Sequence, residues 1–253
     1  MLPLDYLRNY LRITPHFLQA VLLVLLVRRA SYRQFPIFVS YTGFEVLQFA
    51  VLLAMRYSSS VSGGEYYYTY ALGSAISAGL RFGVIYEVFT HVFRDYPALS
   101  GFGRTMFRWA AVVLLLLALG LAWLAPAEGI GHLMVMVDVL NRSVSILQCG
   151  LLLFLFLFSG YFALSWQSYA FGIALGLGIY ASMDIAIASI RSQIEPRGAE
   201  LLDGIIMATY HACVLIWLFY LLVPCPETRH VLKSLPEHDL ETWNQELQRL
   251  IQK

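Results

Sequence analysis

Long apolar runs, separated by short clusters of glycine, proline, serine and charge, recur seven times along the chain. They predict helices at about 11–27, 35–55, 67–93, 105–125, 133–158, 168–190 and 201–223. A bilayer core takes about 20 apolar residues in helical form, so seven spans would occupy most of residues 1–233. The first run is short and recruits Tyr6 to Tyr10 at its start. The fifth is long enough to tilt or to project beyond the core. Turn signals fall between the runs: Ser58-Ser59-Ser60 with Gly63-Gly64, then Pro97, Gly101 and Gly103, then Pro126 and Gly129, then Pro196 and Gly198. Short connections of this kind favour antiparallel neighbours.

After the last run the pattern changes. Over 234–253, Leu240, Trp243, Leu247 and Leu250 recur at three and four residues, which is one face of a helix. Ser234 and Glu237 fit a capping box with Pro236 in the first turn. The polar face carries Glu237, Asp239, Glu241 and Glu246, whereas a helix lying on lipid usually shows Lys and Arg there. A tail helix docked on the protein's own cytoplasmic loops is expected, ahead of one lying on the membrane surface or binding a cytoplasmic protein partner.

Composition sharpens this picture. The 253 residues are 59% hydrophobic and only 13% charged, against about a quarter charged in soluble domains. The fold class expected is therefore all-α: a seven-transmembrane-helix bundle with a short C-terminal amphipathic cytoplasmic helix, surrounded by the lipid bilayer. A net charge of +1 gives no footprint for nucleic acid. Cys149 and Cys213 fall in apolar runs and Cys225 just after one, which suits neither a disulfide framework nor a zinc site. Arg28 and Arg29 close the first run where a cleavable leader would have small residues, so a retained helix is expected.

Lys and Arg near helix ends set orientation. Arg28, Arg29 and Arg33 follow the first span; Arg94, Arg104 and Arg108 follow the third; Arg229 and Lys233 follow the last. Arg8, Arg12, Arg56, Arg191 and Arg197 lie on the other side. The bias predicts an inner (plasma) membrane protein with its N-terminus outside and its C-terminus in the cytoplasm. Tyr66, Tyr67, Tyr68 and Tyr70 then meet the outer interface.

Ionisable residues inside the spans carry the candidate chemistry, because each costs about 2.5–3.5 kcal/mol to insert near the bilayer centre. Glu45, Arg81, Glu87, Arg142, Asp184 and His211 qualify. Depth, at about 1.5 Å per residue, matches Glu45 with Arg81, Arg142 with Asp184, and Glu87 with Arg108. Three interhelical ion pairs are therefore expected. Their plain reading is structural, fixing which helix sits beside which; the alternative is a pair that a ligand or proton breaks. His211, beside Tyr210, has no obvious acid; it is either a core histidine bonded to a hydroxyl or carbonyl, or a proton- or ligand-sensing one. Asn141, Ser143, Ser145 and Gln148 give the fifth span a polar outer half, either for interhelical hydrogen bonds or for an outward-facing pocket. Ala75, Gly79 and Gly83, and Gly172 and Gly176, recur every four residues and predict close helix packing.

Several function classes are set aside. The lysines are Lys233 and Lys253, both in the tail, so no transmembrane amine can hold a covalent retinal. The triplet Arg94-Asp95-Tyr96 differs in order from that of eukaryotic seven-helix receptors, and Leu221-Leu222-Val223-Pro224 lacks their Asn-Pro-x-x-Tyr element. His16, His91 and His211 fall at different depths, which argues against both a metal hydrolase and a haem held by two histidines. No repeat relates spans one to three with five to seven, as a three-plus-one-plus-three transporter would require. No nucleophile-base-orienter set stands out for an enzyme.

The stretches Ile85-Tyr86-Glu87-Val88-Phe89 through Phe93-Arg94, Phe107-Arg108-Trp109-Ala110-Ala111, and Arg142 through Gln148-Cys149-Gly150 to Leu155-Phe156 carry a resemblance. So do Phe171-Gly172-Ile173-Ala174-Leu175-Gly176 and Cys213-Val214-Leu215-Ile216-Trp217. With them the chain resembles a widespread, uncharacterised bacterial family of seven-transmembrane-helix proteins. The resemblance implies a seven-helix fold and brings no activity. The function expected from the residues is a receptor-like or sensory module that binds a small or lipidic ligand among the third, fifth, sixth and seventh spans. Alternatives are a small-solute or proton transporter or channel using Glu45, Arg81 and Glu87, and a membrane assembly or scaffold subunit.

Overall fold

The computed structural model describes residues 3–58, 61–93, 105, 107–110, 112, 113, 116, 130–158, 168–191 and 196–223. Among these residues all regular structure is helical. The helices are α1 (Pro3–Arg28), α2 (Pro36–Tyr57), α3 (Gly63–Val92), α4 (Ile130–Phe158), α5 (Tyr169–Arg191) and α6 (Pro196–Leu222), with a 3-10 turn at Ser31–Arg33. They correspond to the first, second, third, fifth, sixth and seventh expected spans. The described positions of the fourth, between 105 and 116, are helical too. The expected tail helix at 234–253, with Arg229 and Lys233, lies outside the described residues.

Among the described residues four helices are long and apolar enough to cross a membrane: Pro36–Tyr57, Gly63–Val92, Tyr169–Ile190 and Leu201–Leu222, beside a shorter apolar helix at Ile13–Arg28. The outer surface agrees, since Leu47, Val51, Leu72, Leu153, Leu157 and Phe219 are all exposed. A helix in water turns such residues toward the core, and apolar surface on this scale belongs in lipid. The chain is a helical membrane protein.

Local chemistry explains where the helices begin. Ser62 and Glu65 form a capping box at the start of α3, with Glu65 N donating to Ser62 Oγ at 3.3 Å and Ser62 N donating to Glu65 Oε2 at 2.8 Å. Gly63-Gly64 is thus the first turn of a helix instead of the expected break. Pro196 likewise opens α6 and does not precede it, because a first-turn proline gives up an N–H that has no helical partner. Between α1 and α2 the chain reverses through Ala30, which sits at φ 55°. That left-handed geometry is costly for a residue with a Cβ.

The described helices close into a ring. α1 packs on α2 and α6, α2 on α3, α3 on α4, α4 on α5 and α5 on α6, while a contact between α3 and α5 crosses the ring. At one end, where α1, α4 and α6 finish and α2 and α5 begin, the ring is filled by aromatic side chains. Phe38 meets Trp217 edge-on at 5.3 Å, Phe35 meets Tyr169 at 5.6 Å, and Phe93 meets Phe154 at 5.6 Å. Phe107, from the fourth span, packs against Phe82, Tyr86 and Phe89. We call this the sealed end.

Glycine placement accounts for the tightness there. A Cβ on Gly176 would stand 2.3 Å from Trp217 Nε1, and one on Gly172 would stand 2.3 Å from the Tyr220 ring. The α5 small-residue pair therefore does what its spacing predicts. The α3 set does so only in part: Gly83 receives Ile37 at 2.9 Å, but Gly79 has open space around it. Gly79 faces outward, one step off the packed face.

Candidate functional site

The opposite half of the ring encloses a cavity of about 650 Å³. It is lined by positions within 41–52 of α2, 70–81 of α3, 138–142 of α4, 180–188 of α5 and 203–210 of α6, and by His16 of α1. The sequence places most of the chain's intramembrane polarity in these segments, and folding brings it together. Glu45, Arg81, Asn141, Arg142, Asp184 and Tyr210, each expected at the site, all line this one cavity. Glu87, Arg108, Gln148 and His211 do not.

The ion pairs expected from depth are not the ones that form. Glu45 Oε1 accepts from Ser77 Oγ, and Arg81 Nη2 donates to Asn141 Oδ1. Asp184 Oδ2 accepts from Ser145 Oγ at 3.0 Å. Arg142 pairs with Asp138 on its own helix at 3.1 Å, with both side chains more than half exposed. Depth brings residues to a common level but does not choose among neighbours. A hydroxyl or amide on the adjoining helix stands nearer to Glu45, Asp184 and Arg81, and an acid four residues away on the same helix costs Arg142 little ordering.

Glu87 is the clearest correction. It is buried at the sealed end and among the described residues takes no arginine, and Arg108 is exposed. Its Oε1 accepts from Ile37 N at 2.8 Å and its Oε2 from Phe38 N at 2.9 Å. These are first-turn N–H groups of α2, whose N-cap is Phe35 and whose first residue is Pro36, so the helix has no polar side chain of its own to cap it. Inside a membrane such donors must find a protein partner, and a carboxylate suits the positive end of a helix dipole. Arg29 does the reciprocal work by donating to Leu221 O in the last turn of α6.

Arg81 is the deepest charge of the cavity and only 6% exposed. Beyond its bond to Asn141, its guanidinium carbon lies 5.9 Å from the centre of the Tyr180 ring, a cation–π distance. Its Nε has no hydrogen-bond partner. Around it stand Tyr41 and Tyr180, with Tyr70 toward the helix starts. Tyr210 donates to the fully buried Gln19, and its ring lies 5.9 Å from that of Tyr180. His16 stacks on Phe49 at 4.0 Å and 13°.

Residues outside the cavity have separate roles. His211 packs edge-on against Tyr10 at 5.7 Å, and its Nδ1 has no hydrogen-bond partner, so the expected bond to a hydroxyl or carbonyl is absent on that atom. Gln148 is 2% exposed and neither atom of its amide is bonded. Among the described residues, His, Cys, Asp and Glu form no group of three or more that could hold a metal ion.

No family model, curated protein or solved structure matches this chain. The reading of the site therefore rests on its geometry. Tyr41, Ser77, Asp138 and Tyr180 also line the cavity, beyond the residues expected there. Each stands four residues before one of the expected site charges Glu45, Arg81, Arg142 and Asp184. Residues at that spacing share a helix face, so helical periodicity counted outward from each buried charge finds them. His16 and Asp203 carry no such signal.

Proposed function

We propose that this chain is a receptor-like membrane protein of seven spans that binds a small polar molecule in the cavity. By the arginine bias the cavity opens on the outer face, with the N-terminus outside and the tail in the cytoplasm. The observation that carries the reading is the cavity itself, about 650 Å³ among six helices, with carboxylates, a buried guanidinium and tyrosines on its walls. That volume is within the range of about 300–1,000 Å³ typical of small-molecule sites. A polar lining favours a polar ligand over a lipidic one. A ligand that draws α3, α5 and α6 together would shift helices whose far ends pack in the aromatic seal. The 234–253 helix would pass that shift to a cytoplasmic partner.

Transport is the second reading, favoured by the polarity of the ring: a cavity at one end and a packed seal at the other is the form of a one-side-open state. In this reading Glu45 and Arg81 stay on the path, while Glu87 is committed to the α2 terminus.

The test is native mass spectrometry of the protein taken from its membrane in lipid discs. A stoichiometric non-lipid mass is expected on the parent chain and on Arg142→Gln, and is expected to be lost in Arg81→Gln. Ordinary lipids alone on all three would contradict the reading. Accumulation of the identified molecule by proteoliposomes would move the assignment from receptor to transporter.

A further inference from the structure

Resting on the cavity reading, the charges of the site narrow the ligand's class. Arg142 and Asp138 neutralise each other at an exposed position. The other charged side chains of the wall include Glu45 and Asp184, which face Arg81 across the same cavity. Glu45 and Asp184 are each engaged through one oxygen by a serine hydroxyl. A serine hydroxyl orients a carboxylate without neutralising it. Arg81 is more than nine-tenths buried, and its hydrogen-bond acceptor is a neutral amide. Among the described residues no carboxylate lies within salt-bridge distance of it, and its buried Nε donor has no hydrogen-bond partner.

A largely buried guanidinium with no carboxylate in direct contact keeps unspent interaction strength, and its planar fork is suited to a carboxylate. A ligand bearing only a carboxylate would enter a wall that already carries Glu45 and Asp184. A ligand bearing only an amine would leave Arg81 as it is. We infer that the cavity takes an amino-acid-like zwitterion, with its carboxylate on Arg81 and its ammonium between Glu45 and Asp184. The tyrosine rings flank the ammonium, where their faces attract a cation. Asn141 is then a positioning residue: by holding one arm of the Arg81 guanidinium it presents the remaining donors to the ligand.

The experiment uses the full chain in lipid discs and two readouts. The first is the thermal midpoint with glycine, L-alanine, L-leucine, L-phenylalanine, L-lysine, L-glutamate and glycine betaine. Each is paired with the matched amine and the matched carboxylic acid. The second is labelling of Ser74→Cys, a cavity-wall position, by a water-soluble thiol reagent, with the parent chain and its own three cysteines as background. At least one zwitterion is expected to raise the midpoint by about 3 °C or more at saturating concentration and to slow labelling. Its amine and acid halves are expected to do neither. Arg81→Gln should abolish the shift and Arg81→Lys restore part of it; the ligand comparison on the parent chain stands whether or not these variants fold. If Ser74→Cys labels but an amine or an acid alone protects it equally, or nothing in the panel does, the zwitterion assignment is wrong and the cavity stands. If Ser74→Cys does not label, the cavity reading fails and this inference falls with it.

Discussion

The two ends of the ring use the same kinds of residue for opposite purposes. At the sealed end two charges finish on helix termini: Glu87 on the first N–H groups of α2, Arg29 on the last turn of α6. Aromatic rings fill the space between them. At the cavity end Glu45, Asp184 and Arg81 touch neutral hydroxyls and an amide, and the space between them is open. A charge that closes off a backbone terminus is part of the fold. A charge held by neutral side chains at the wall of a cavity keeps its interaction strength for something else. Burial alone does not separate the two cases, since Arg81 and Glu87 are both under 9% exposed.

Substitutions at the two ends should therefore differ in size and kind. The largest effect is expected from Glu87→Ala, which orphans two backbone donors of α2 within the membrane. A loss of about 3 kcal/mol is expected in denaturant unfolding. Gly176→Ala comes next, because its Cβ must displace the Trp217 indole. About 1–3 kcal/mol is expected, with the change in Trp fluorescence as a second check. Ser62→Ala removes the capping hydroxyl of α3 at the cavity end, outside the packed core, and should cost about 1 kcal/mol. Ala30→Gly should go the other way, stabilising by about 0.5–1 kcal/mol as the left-handed backbone loses its strain. The smallest effect belongs to the cavity wall. Glu45→Gln keeps an acceptor for Ser77 and should move stability by less than about 0.5 kcal/mol, while ligand binding is lost. A Glu45→Gln cost equal to that of Glu87→Ala would erase the distinction between the ends.

Hydropathy made the helices legible, because a membrane imposes a run length and a surface chemistry that few alternatives satisfy. It misplaced helix starts at Gly63 and Pro196, where capping chemistry and not hydrophobicity decides the boundary. The site was legible at the level of which charges are buried and how deep they lie. Six of the expected residues, from Glu45 to Tyr210, meet in one cavity for that reason. Their partners were not legible. Choosing Ser77 over Arg81 for Glu45, or a helix terminus over Arg108 for Glu87, depends on helix rotation. A one-dimensional depth carries no angle. The i−4 companions Tyr41, Ser77, Asp138 and Tyr180 show how much angular information the sequence does hold once a single buried charge fixes the face.

The contrast between the ends is tested most directly by hydroxyl-radical footprinting of the unmodified protein in lipid discs. Tyr70 and Tyr180 line the cavity, whereas Trp217, the more reactive side chain, is 1% exposed within the seal. Oxidation of both tyrosines with Trp217 protected is the predicted result. Oxidation of Trp217 to the same extent, or silence at Tyr70 and Tyr180, would contradict a water-filled site at one end and a closed core at the other.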